Sequence, residues 1–201
     1  MQNRIFQNLT TVGAYVMWDG RLAMVVGPDH EGRGLDVVRL GGHVEPGEGP
    51  LTALGRELQE EARVAVRLVN APQTYYKLRW TARARPIVQP VPLPWQPLIV
   101  TGTPVRSTAL FLAYARSEPQ PASETAAILY LRQRDIARIC AGGLTLKTFL
   151  RQGGRVTCQT PLDESQPLVA GVHLKFLREL VAAGNPLVGD FLCGRLRRSR
   201  P

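Results

Sequence analysis

The apolar positions near the start of the chain fall into two β-prone runs. Thr11 to Val26 reads TVGAYVMWDGRLAMVV, divided by Asp19-Gly20, a pair suited to the positive-φ positions of a tight hairpin turn. Gly27 to Leu35 is rich in glycine and charge and reads as a loop; Asp36 to Leu40 reads as a short strand entering Gly41-Gly42. From Pro50 to Arg63 the spacing becomes helical. Leu51, Leu54, Leu58 and Ala62, with Ala65 beyond, form one apolar stripe, and Pro50 takes the first helical position, where a missing N–H loses no bond. Val64 to Trp80 reads as extended, with Val66, Leu68, Tyr75, Tyr76 and Leu78. Arg85 to Pro104 holds six prolines and predicts an ordered loop or polyproline-like arm, neither helix nor central strand. Thr108 to Ala115 and Ala126 to Arg132 read as strands. Helices are expected at Asp135 to Cys140, at Leu144 to Gln152 and, from the spacing of Val169, Val172, Phe176, Leu177 and Leu180, at Val169 to Ala183. There is no internal repeat. Strands alternating with helices, plus one hairpin, predict an α/β (α+β) fold with a mixed sheet covered on both faces.

Composition narrows the class. A chain of 201 residues suits one ordinary domain with an extension, and 44% hydrophobic with 20% charged residues is the balance of a globular protein. No apolar run approaches the roughly 20 residues that span a bilayer. The start, MQNRIFQNLTT, lacks the apolar core and cleavage site of a signal peptide, so a cytoplasmic location with no membrane partner is expected. Cys140, Cys158 and Cys193 are isolated, which argues against a disulfide framework or zinc site and predicts buried spectators. The net charge of +9 favours polyanionic ligands, phosphates foremost. That surplus is spread along the chain except at Arg195, Arg197, Arg198 and Arg200, which read as a solvated, disordered end. Nucleic acid is therefore not the favoured partner.

Candidate chemistry concentrates in Gly41 to Val66, GGHVEPGEGPLTALGRELQEEARVAV. Glu57, Glu60 and Glu61 stand at i, i+3 and i+4, which gathers their carboxylates on one helix flank. Such like charges weaken an isolated helix by a few tenths of a kcal/mol per pair. Alone they read as a solvated acidic face; with a cation to neutralise them they suit Mg²⁺ or Mn²⁺, which take hard oxygen ligands. Upstream, Gly42, Gly47 and Glu48 form a glycine loop entering the helix, where backbone can approach a ligand and the helix N-terminus favours an anion.

The whole array resembles the Nudix box: Gly, five residues, Glu, seven residues, then Arg-Glu-aliphatic-any-Glu-Glu-any-Gly-aliphatic. Gly42, Glu48, Arg56, Glu57, Leu58, Glu60, Glu61 and Val64 meet that pattern. Arg63 stands in place of the last glycine, a residue that ends the helix rather than binding metal. The resemblance implies a Nudix-like α/β/α sandwich over residues 8–152 (box 42–64), with 153–201 a C-terminal helical extension and basic tail. It implies a metal-dependent hydrolase that cleaves a diphosphate bond in a nucleoside diphosphate derivative, by attack of metal-activated water on phosphorus. The cofactor would be Mg²⁺ or Mn²⁺ and the partner a small-molecule nucleotide.

Carried over by residue, Glu57, Glu60 and Glu61 are metal ligands, with Glu57 and Glu61 the surest. The Gly42 carbonyl completes the shell, Glu48 is an outer ligand or structural partner, and Arg56 orients a glutamate. The family's general base is a box glutamate or one from a distant loop; here Glu118 and Glu124 follow TALFLAYA, with Glu124 preferred. His43 reads as a surface histidine, and His30 and His173 give no signal. Tyr75, Tyr76, Trp80 and Trp95 are candidates to stack on a nucleoside and equally candidates for packing. The proline-rich arm is a place for a specificity pocket or a homodimer contact. Two alternatives stay open: a nucleotide-sensing regulator without turnover, and an RNA-end pyrophosphohydrolase or isomerase on the same fold.

Overall fold

The computed structural model describes residues 5–6, 8–88 and 91–198. β1 (Leu9–Trp18) and β2 (Arg21–Pro28) are antiparallel, and Asp19 and Gly20 turn between them at φ 46 and 70. Two consecutive residues at positive φ match the right-handed twist of the strands they join. β3 (Leu35–Val38) pairs with the end of β2. α1 (Pro50–Ala62) follows, then β4 (Val66–Val69), β5 (Tyr75–Lys77), β6 (Arg85–Pro86), β7 (Ile99–Thr103), β8 (Arg106–Ala115) and β9 (Ala127–Leu131). α2 (Gln133–Ala141), α3 (Leu146–Arg151), β10 (Arg155–Cys158), β11 (Leu168–Ala170), α4 (Val172–Ala182), α5 (Pro186–Leu192) and a 3₁₀ turn (Arg195–Arg198) complete the chain. The strand order is β10-β9-β2-β1-β8-β7-β5-β6, with β4 on β8 and with β3 joining β2 to β11.

The period-two alternation of β1 separates the core into two layers. Val12, Ala14 and Val16 point to α1 and pack with Ala53, Leu54, Leu58 and Ala62. Tyr15 and Met17 point the other way, to a cluster with Ile136 and Ile139 of α2, Phe149 of α3, Leu174, Phe176 and Leu177 of α4, and Phe191 of α5. The result is the expected mixed sheet between helices. Residues 155–192 are part of it: β10 extends the sheet beyond β9, β11 runs parallel to β3, and α4 and α5 cover the face opposite α1.

Several expectations need correction. Ile99–Thr103, assigned to the proline-rich arm, is β7, an interior strand between β5 and β8. No proline falls between Pro97 and Pro104, so every residue of β7 keeps the N–H a ladder needs. Val64 to Trp80 is not one extended run: β4 and β5 are separated around Pro72, and Trp80 lies in a turn. Val169 belongs to β11, and the helix begins after Gly171, whose extended backbone (φ −64, ψ 164) caps it. Cys158 and Cys193 are exposed rather than buried, one on the edge strand β10, the other capping α5. Arg195–Arg198 forms the 3₁₀ turn, with Arg195 paired to Asp190 at 3.1 Å; Arg200 lies outside the described residues. Among the described residues no helix is long and apolar enough to cross a membrane.

Candidate functional site

The site is set by how the glycine pair is stitched to β1. Ala14 N–H donates to Leu40 O and Val12 N–H to Gly42 O, both at 2.9 Å. Gly41 lies at φ 119, and a Cβ there would collide with the Val12 carbonyl, so both conformation and space demand glycine. A Cβ on Gly42 would collide with the Glu57 carboxylate. The backbone thus passes directly over the carboxylate flank of α1, and Gly41 N–H donates to Glu61 Oε2 at 2.5 Å.

The far end of α1 shows what the arginine does in place of the family's glycine. Arg63 adopts φ 46, ψ 39 and its N–H reaches Gln59 O and Leu58 O. The left-handed stop is kept, at a strain of about 1–2 kcal/mol for a residue with a Cβ.

Arg56 gathers three of the acids. Its Nε and Nη2 donate to Glu48 at 3.1 and 3.0 Å, and Nη1 donates to Glu57 at 3.1 Å and Glu60 at 3.0 Å. Nη2 also donates to His43 O at 2.9 Å. These bonds, the one to Glu48 above all, raise the Arg56 pKa and hold Glu48 below the usual carboxylate range. Glu61 stands apart. Burial pushes its carboxyl up to about 7, against the Gly41 N–H and the positive charge of Arg39.

Sequence reasoning did not single out Arg39, and His173 carried no signal as a site residue. Arg39 follows β3 and lies over Gly13, where a Cβ would collide with its Cδ and Nε. Burial lowers its pKa, while Glu61 and Glu57 oppose the shift. The one clue in the sequence was a cation beside the glycine pair in VVRLGG. His173, at the start of α4, meets Trp80 edge-on at 4.7 Å between ring centroids. No spacing rule links residues so distant in the chain.

The other candidates disperse. Glu118 is paired with Arg155 and also accepts from Tyr130 Oη at 3.4 Å. Glu124 is exposed, in a loop fastened to the end of α1: Gln120 N–H donates to Ala62 O at 2.8 Å and Ala122 N–H to Glu61 O at 3.1 Å. His43 is exposed, as expected. Tyr75 Oη accepts from Asn185 at 2.7 Å, Tyr76 Oη donates to Gly102 O at 2.9 Å, and Trp95 is exposed on the proline-rich arm.

Among the described residues no three His, Cys, Asp or Glu side chains already converge as a metal cage. The donor set nonetheless fits a hard divalent cation. Glu57 and Glu61 both lie against the glycine pair, all their donor atoms are oxygen, and half-buried Glu61, its carboxyl pushed up to about 7, carries a proton that a cation would replace.

The family profile of the NUDIX domain matches residues 8–132. Among solved structures, the chain resembles a NUDIX-family hydrolase from Clostridium perfringens (19% identity, 65% of this chain and 83% of that one, TM-score 0.44). It also resembles a nudix hydrolase family member from Chromobacterium violaceum (14% identity, 89% and 80%, TM-score 0.42). An ADP-ribose pyrophosphatase from Streptococcus suis aligns at 16% identity over 61% and 72%, with a TM-score of 0.39. No curated protein matches the chain.

Proposed function

The chain belongs to the Nudix family and is a Nudix-type hydrolase, and from that premise we propose that it hydrolyses the diphosphate bond of a nucleoside diphosphate derivative with Mg²⁺ or Mn²⁺. The observation that carries this reading is the seating of Glu57 and Glu61 against Gly42 and Gly41. Glu57 and Glu61 are the main metal ligands, Glu60 a further one, the Gly42 carbonyl a backbone ligand and Glu48 an outer one. A bound cation neutralises phosphate oxygens and acidifies water at such a site.

The chain's own residues do the rest. Arg56 is a positioning residue that fixes Glu48, Glu57 and Glu60 through one guanidinium. Glu124 takes the proton of the attacking water on its carboxylate; supporting this, its loop is tied to the backbone of Glu61. The new O–P bond forms as the bridging P–O bond breaks, and the departing phosphate keeps that electron pair. Trp80, Tyr76 and Trp95 are the proposed nucleoside contacts. The hydrolase domain is proposed to span residues 8–152, with 153–201 an extension of it. A panel of nucleoside diphosphate derivatives with Mg²⁺ tests the reading. Turnover that falls about 10²–10³-fold in folded Glu57→Gln and Glu61→Gln supports it. No turnover of any member, by a protein that binds Mg²⁺, rejects it.

A further inference from the structure

Two buried nitrogens have no hydrogen-bond partner among the described residues: Arg39 Nε, on a side chain that feels Glu57 and Glu61, and His173 Nδ1. Both residues are only half-buried as wholes. Leaving such a polar atom unpaired is costly, and native proteins seldom tolerate it without a functional reason. Gly171 N–H donates to Val37 O at 3.0 Å, which fastens the start of α4 to β3 two residues before Arg39, and Arg39 lies over Gly13 of β1; its charge acts on the imidazole, on Glu61 and on Tyr15. Arg39 is not ion-paired with any described carboxylate, so its cation is answered only at a distance by Glu57 and Glu61.

The surrounding contacts hold this pair in place. Tyr15 Oη donates to the His173 carbonyl at 2.8 Å, which fixes the first turn of α4 to the sheet. Trp80 packs edge-on against the imidazole. Lys77 Nζ pairs with Glu179 at 2.6 Å and Asn185 bonds Tyr75, so the segment carrying Trp80 is clamped to α4 and to the start of α5.

We propose that Arg39 and His173, walled by Trp80, form a phosphate-binding subsite beside the box carboxylates. His173, beyond the matched NUDIX domain, would then bind substrate directly. The subsite takes a phosphate oxygen of the diphosphate: the Arg39 guanidinium supplies a charged donor and the imidazole a neutral N–H. This inference rests on the diphosphate reading above, and it names the residues that grip the anion independently of the metal.

Inorganic pyrophosphate is the probe, titrated calorimetrically into metal-free protein in the presence of a chelator. Arg39→Gln and His173→Ala, each checked for an unchanged melting profile, are expected to weaken binding about 10- to 100-fold, the range of a lost charge-assisted hydrogen bond. In unaltered protein, pyrophosphate should shift the ¹⁵N resonances of one of the three histidines, and that histidine should be His173. Binding within twofold of wild type in both folded variants, or an unmoved His173 signal, overturns the subsite. The two readings fail separately. Turnover with unaffected pyrophosphate binding sinks the subsite alone; pyrophosphate binding through Arg39 and His173 without turnover sinks the hydrolase reading alone.

Discussion

Helices α1 and α4 cover opposite faces of one sheet and handle their polar groups in opposite ways. On α1 the acids lie on a partly exposed flank, where one arginine holds Glu57 and Glu60 together with Glu48 of the loop before the helix. On α4 the acid partner is a single residue, Glu179, and the group it answers is Lys77, only 4% exposed, on β5. The first arrangement leaves oxygens facing a backbone loop where a cation can be taken up. The second locks two segments together, β5 and α4. One helix brings its chemistry in its own sequence; the other depends on contacts made only after folding.

That contrast is open to measurement. The largest effect is expected at Arg56. Arg56→Ala should lower kcat about 10- to 100-fold, as loss of a group that orients ligands does, while the melting temperature moves little. An unchanged kcat would mean that the glutamates are placed without it.

Next is α4. Glu179→Gln leaves the buried Lys77 ammonium without its anion and should cost about 2 kcal/mol of unfolding free energy, discounted because Glu179 itself is 45% exposed. Urea titration reads this directly, and a loss under half that size would show Lys77 content with the Trp80 carbonyl and the Phe176 ring alone.

Glu61 supplies a pH test of the other helix. Burial raises its carboxyl from 4.5 to about 7 in the folded protein. The folded state therefore binds more protons than the unfolded state between those values, so the contribution of Glu61 to stability falls as pH rises through that window. Metal-free Glu61→Gln should match wild type near the bottom of the window and exceed it by about 1–3 kcal/mol above it. A difference that does not change with pH would contradict the burial account.

Smaller effects complete the series. Arg63→Gly should stabilise the protein by about 1 kcal/mol, since glycine takes φ 46 without strain; a lower melting temperature would show that Arg63 makes a compensating contact. Glu60→Gln, at a side chain 52% exposed, should change stability by less than about 0.5 kcal/mol.

How far the fold was legible follows the same division. The hairpin at Asp19-Gly20, α1 and the strands 106–115 and 127–131 were readable because turn chemistry and side-chain period act locally. Along α1 the acids are neighbours by helical geometry alone, so their clustering was visible before any tertiary contact. β7 was hidden because its identity depends on pairing with β5 and β8, and the prolines before it carried the louder signal. The start of α5 had a local marker, Asn185-Pro186, with the Asn185 side chain capping Val188 N–H at 3.2 Å, but the element was not anticipated. Arg39 and His173 became site candidates only when β1, β3 and α4 were assembled around them. Glu118 and Glu124 were both candidates in the sequence, with Glu124 preferred; the fold separates them further, since Arg155 engages the first and the second stays exposed.

The central claim is that α1 carries the cation through Glu57 and Glu61. Titration of Mn²⁺ into the protein, followed by loss of the free-ion electron paramagnetic resonance signal, measures it without any substrate. Wild type should bind, and folded Glu57→Gln and Glu61→Gln should each weaken binding by at least about tenfold, while Glu118→Gln leaves it unchanged. Equal Mn²⁺ affinity in wild type and both α1 variants would contradict the account.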